Sequence, residues 1–194
     1  MVGAAYQLSM VSHIFIDLEW ECAENSSGAP ISIGACRSDN QESLYGKWSV
    51  SIKRCSDWTQ LQVVPQLDLE KPCSAENAIH RLKEWQSQAI NTSWWVGEKQ
   101  AAMWMSRNYG IACKLWPETC TEDERILLWW RAQEWLEKYP CYHALWDARG
   151  VLDQWRALQH KNMVTYPYEY TNSRNNLGIA TNDLIGCGES TQHD

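Results

Sequence analysis

No uninterrupted apolar run in the sequence approaches the roughly 18 residues a membrane-spanning helix needs, which excludes a bilayer span of that kind. No Cys-x-x-Cys pair occurs among the eight cysteines, which excludes a zinc ribbon or knuckle. There is no basic excess. Seventeen Lys and Arg face twenty-four Asp and Glu, a formal net charge of -7, so a protein that coats nucleic acid through a basic surface is excluded. Met1 to Val11 holds neither Lys nor Arg and no long apolar stretch, so no secretory signal is expected. The thiols are therefore read as reduced and mostly buried, in a cytoplasmic protein. Cys141 stands next to Tyr142 and His143, but neighbouring Cys and His rarely meet as nucleophile and base, so it is not read as catalytic. Phe occurs once, against thirteen Trp, and most of these Trp are assigned to the core. No internal repeat is present.

What is present fits one domain. The 194 residues are 44% hydrophobic and 21% charged. The run His13 to Trp20 reads as a buried strand whose C-terminal end turns acidic. Residues 21 to 30 read as a loop, Ile31 to Cys36 as a second strand, and Tyr45 to Ile52 as a third, giving an antiparallel meander. Residues 55 to 72 read as irregular. Ser74 caps a helix carrying Ala75, Ile79, Leu82 and Trp85 on one side. A short strand, Thr92 to Val96, precedes a helix over residues 98 to 109 that Gly110 stops. Thr121 and Glu124 fit a capping box before a third helix, and Ala144 to Leu158 forms a fourth. The domain spans residues 1 to 160, and residues 161 to 194 form a polar tail with Tyr166, Tyr168 and Tyr170. The fold class is α/β, a mixed sheet that begins with the meander and is flanked by helices.

Asp17 and Glu19 lie two apart on a strand, so alternation turns both carboxylates to one face, within reach of a common cation. Phosphodiester hydrolysis by two hard divalent ions needs several rigid carboxylates of this kind. Late in the chain, His143 and Asp147 are four apart, on one side of a helix.

These pieces combine. Ile14-Phe15-Ile16-Asp17-Leu18-Glu19, then Ala29-Pro30-Ile31-Ser32-Ile33-Gly34-Ala35, then His143-Ala144-Leu145-Trp146-Asp147-Ala148 resemble the DEDD superfamily of 3′-5′ exonucleases, in its short phage and bacterial branch. The resemblance covers most of the chain, from His13 to Gln159. It implies a ribonuclease H-like fold and hydrolysis of terminal phosphodiester bonds of RNA or DNA. It also implies two Mg²⁺ or Mn²⁺ ions held by Asp17, Glu19 and Asp147. The fourth metal-binding carboxylate, an Asp in the family, aligns with Glu98. The family's general base is a His five residues before the last Asp or a Tyr four before it. Here Tyr142 and His143 occupy those spacings in reverse. His143, with a pKa near neutrality, is the expected base, with Tyr142 as the alternative. Trp20, directly after the acids, is expected to wedge against the terminal base. The implied partner is a nucleic acid 3′ end, preferentially single-stranded, with no membrane and with a homodimer as a compatible assembly. Because Glu98 and Tyr142 depart from the pattern, the alternative is a catalytically degenerate protein of the same fold that binds nucleic acid or a protein partner. A third reading is an interaction domain whose Trp-rich helices form a protein interface.

Overall fold

A computed structural model describes residues 11–88 and 91–160. The tail assigned to residues 161 to 194, with Tyr166, Tyr168 and Tyr170, lies outside the described residues, as does most of the N-terminal segment. Strands β1 (Ser12–Cys22), β2 (Ser27–Arg37) and β3 (Ser43–Lys47) form the expected antiparallel meander. Helix α1 (Asp57–Gln62) follows, then β4 (Cys73–Ser74), α2 (Ala75–Gln88), β5 (Thr92–Val96), α3 (Lys99–Tyr109), β6 (Lys114–Leu115), α4 (Glu122–Leu136) and α5 (Ala144–Gln159). The sheet order is β4-β3-β2-β1-β5-β6, with β4, β5 and β6 each joining a neighbour in parallel. A six-stranded mixed sheet with its meander first and helices on both sides is consistent with a ribonuclease H-like α/β fold.

The sheet's two faces follow from strand alternation. Ile14, Ile16, Leu18 and Trp20 of β1 join Ile33, Ala35 and Leu44 in the main core, which α2 covers with Ala78, Ile79, Leu82 and Trp85 and α3 with Ala101 and Met105. The other face meets α5. Phe15 and Cys36 pack there against Ala148 and Leu152, and α4 packs on α5 in turn. Local chemistry sets the helix ends as the sequence predicts. Thr121 and Glu124 make a reciprocal capping box, and Gly110 ends α3 at φ 69°. The Ser74 hydroxyl accepts from the Asn77 N–H at 3.3 Å.

The differences concern short elements. The presumed loop at residues 21 to 30 is mostly strand, because β1 and β2 extend to a tight turn at Ala23–Asn25. β3 stops at Lys47 instead of reaching Ile52. The stretch read as irregular holds α1, capped by the Ser56 hydroxyl accepting from the Thr59 N–H. Its buried contacts, Cys55, Val63 and Leu67 against Ile31, are too widely spaced to show a helical period.

Candidate metal centre

Three acids converge. Asp17 and Glu19 project from β1 on the α5 side, and Asp147 projects from the first turn of α5. One oxygen from each lies within 4.8 Å of the others. Asp147 belongs to the stripe of α5 that faces the sheet, three residues after Ala144 and one before Ala148, both fully buried. Its side chain leans toward the helix N-terminus, as helical side chains do, and accepts from the His143 N–H at 3.0 Å. The β1–β2 register shifts at Trp20, so the strand bends just beyond the acids.

The electrostatics are those of crowded, buried acids. Burial pushes the Glu19 carboxyl well above the carboxylate range, with the charge of Asp147, a hydrogen bond to it and the charge of Glu98 adding to the rise. Burial pushes Asp147 up to about 6, against backbone N–H bonds from His143 and Tyr142 and the bond to Glu19, which favour its charged form. Both carboxyls therefore hold a proton more tightly than a free carboxylate does. Among the described residues, the side-chain charges that act on the two come from acids, each other and Glu98. A hard divalent ion prefers oxygen ligands and would supply the missing positive charge, so this donor set fits Mg²⁺ or Mn²⁺.

Glu98 does not join the inner three. It is exposed at the N-cap of α3, just beyond the end of β5, and accepts from the Trp20 indole N–H at 3.2 Å. Its charge still acts on Glu19 and Asp147. This corrects the expectation for Trp20. With 1% of its surface exposed, it packs edge-on against Trp104 in the core and cannot stack on a terminal base. Its parity gives the reason, since it shares a face with Ile14, Ile16 and Leu18, opposite the acids.

The expected base, His143, is withdrawn from solvent in this structure. His143 is the N-cap of α5 and has no exposed surface. Its ring lies against Tyr45 at 4.4 Å, and neither ring nitrogen has a hydrogen-bond partner. Burial holds its pKa down, and the side chains acting on it are Glu70 and Arg149, not the three acids. In this conformation no water reaches the imidazole. The alternative, Tyr142, packs edge-on against Trp58 at 4.8 Å, beside the Ile31 cluster, with its backbone at φ 60°, a region that disfavours residues other than glycine. Asp123, a second acid whose place before Ile126 could have turned it to the site, is exposed in the first turn of α4, outside the cluster.

Two further residues lie beside the site, Cys141, to which the sequence assigns no catalytic role, and Tyr45, which it does not single out. Cys141 is half-buried, and its thiol is raised by burial and then by the charges of Asp147 and Glu19, which places it next to the acids. Tyr45 donates its hydroxyl to the Leu67 carbonyl at 2.9 Å and is pushed up to about 12, chiefly by burial. Tyr45 carries no spacing signal, because it comes from a strand remote in sequence from the acids, while Cys141 lies six residues before Asp147 and its closeness to Glu19 is set by the tertiary fold. The third acid of β1, Glu21, has a structural role. It pairs with Arg54 at 3.0 Å and accepts from the Ala29 N–H, which fixes the turn into β2.

Compared with known proteins, the sequence matches no family model and no curated protein. Among the described residues, no helix is long and apolar enough to cross a membrane.

Proposed function

We propose that the chain is a metal-dependent 3′-5′ exonuclease, acting in the cytoplasm on the 3′ end of single-stranded RNA or DNA. The observation that carries this reading is the meeting of Asp17, Glu19 and Asp147 from opposite ends of the sequence. These three would hold two divalent cations, Mg²⁺ or Mn²⁺, with Glu98 reaching in from the rim. When bound, the cations would offset carboxylate–phosphate repulsion, activate the attacking water and stabilise the leaving oxygen. Asp147 would be kept in place by its bond from the His143 N–H, and Glu98 by the Trp20 indole. His143 would serve as base only after its ring leaves the pocket against Tyr45, since it is fully buried there.

That burial favours a second reading, a protein of the same fold that binds a cation and a nucleic acid end without cleaving it. One assay separates the two. With Mn²⁺, the wild-type protein is expected to release mononucleotides from a 3′-labelled oligonucleotide, and Asp17→Asn to release none. Release by Asp17→Asn equal to wild type overturns the proposal. A wild type without turnover, whose melting temperature still rises with Mn²⁺, selects the non-hydrolytic reading, because a ligand of the folded state must stabilise it.

A further inference from the structure

The carboxylate cluster depends on how closely α5 approaches the sheet, and one strand position sets that distance. Gly34 lies in the middle of β2, paired on one side with Asp17 and on the other with Tyr45. The first turn of α5 sits directly on this rung. A Cβ at residue 34 would stand 2.2 Å from the Ala144 carbonyl carbon, 2.2 Å from the Leu145 nitrogen and 2.3 Å from the Ala144 oxygen. All three are backbone atoms, so no rotamer change relieves the clash. The helix start itself would have to rise until these separations reached the 3.4 Å at which ordinary contact begins.

We infer that Gly34 is a positioning residue for the metal centre: its missing side chain lets the α5 backbone rest on the sheet beside Asp17 and so brings Asp147 within ligand distance of Asp17 and Glu19. The inference rests on reading these three acids as cation ligands. Asp147 lies one turn beyond Ala144, and its carboxylate folds back onto the His143 N–H, at the level of the Gly34 rung. A lift of the first turn therefore moves the carboxylate almost as far as the backbone. Mg²⁺ demands near-ideal octahedral geometry at about 2.0–2.1 Å, whereas Ca²⁺ accepts longer and less regular contacts. A raised α5 should thus be felt by Mg²⁺ first.

Gly46 supplies the control. It lies on β3 and makes a comparably close approach to the helix on the other face, where a Cβ would stand 2.6 Å from the Ala78 Cβ. Substitution there strains packing without touching α5.

The test is calorimetric titration of Mg²⁺ and Ca²⁺ into wild type, Gly34→Ala and Gly46→Ala, with a thermal melt of each. Gly34→Ala is expected to weaken Mg²⁺ binding on the order of 10- to 100-fold, the loss usual when groups that orient ligands are disturbed, and to weaken Ca²⁺ less. Gly46→Ala is expected to melt lower and bind both ions as wild type does. A folded Gly34→Ala with wild-type Mg²⁺ affinity overturns the inference while leaving the exonuclease reading intact. A wild type that binds neither ion overturns that reading itself. Should Gly34→Ala not fold, Ala148→Val provides the same readout. It adds bulk at the next contact of α5 with the sheet and is expected to lower Mg²⁺ affinity more than Ca²⁺ affinity. Unchanged affinities in that folded variant overturn the inference too.

Discussion

The two faces of β1 divide the work of the molecule. Ile14, Ile16, Leu18 and Trp20 point one way and are buried under α2 and α3. His13, Phe15, Asp17 and Glu19 point the other way, and along this side the strand passes from an aromatic contact with α5 to a charged one. The first face gains its stability by removing apolar surface from water. The second loses stability by crowding acids under a helix, which protonation or a bound cation would recover. A single strand thus ties the strongest part of the core to the least comfortable part of the fold, and rigidity on one side holds the carboxylates in place on the other.

Substitutions on either face should separate stability from chemistry. The largest effect is expected from Asp17→Asn, which should bring mononucleotide release to background while the far-ultraviolet circular dichroism stays that of wild type. On the opposite face, Leu18→Ala should cost about 2–5 kcal/mol in denaturant unfolding, because it empties a fully packed site. The Mn²⁺-dependent rise in its melting temperature should survive. Asp147→Asn sharpens the contrast through pH. Asp147, at about 6, and Glu19 both hold protons more tightly in the fold than in the unfolded chain. The Asp147 contribution is therefore favourable below the ordinary carboxylate range and is lost as pH rises through about 6, and that of Glu19, also raised, falls in the same direction. Replacing Asp147 with a neutral acceptor should raise metal-free stability at neutral pH by something on the order of 1 kcal/mol and flatten its fall between about pH 4 and 7. The same variant should lose the Mn²⁺-induced shift. Wild-type Mn²⁺ affinity should climb through the same pH window, since the cation competes with protons for the same carboxylates. The smallest effect is expected from Glu98→Gln, which keeps an acceptor for the Trp20 indole and should weaken Mn²⁺ binding only a few-fold by titration. A loss as large as that of Asp17→Asn would move Glu98 into the inner set.

Much of this was legible beforehand, for reasons that can be named. The meander, β5, the Gly110 stop, the Thr121 cap and α5 all rest on local signals: alternation, a left-handed glycine, a capping box and a 3.6-residue period. The pairing of Asp17 with Glu19 follows from the same alternation. So did the true place of Trp20, whose parity sets it with Leu18 and not with Glu19, although its position right after the acids suggested a wedge. The burial of His143 was not legible, because it depends on Tyr45 from another strand and on the height at which Gly34 seats α5. α1 was missed because six residues hold too few turns to reveal a period. For Glu98, the sequence gives its place beyond β5, but not the Trp20 indole that donates to it.

The most direct test is a crystal structure of the protein soaked in Mn²⁺, read from the anomalous signal at the metal edge. The account expects manganese between the carboxylates of Asp17, Glu19 and Asp147, with Glu98 at the rim. Density free of manganese at that position, with the three side chains splayed beyond a common ligand distance, would contradict it.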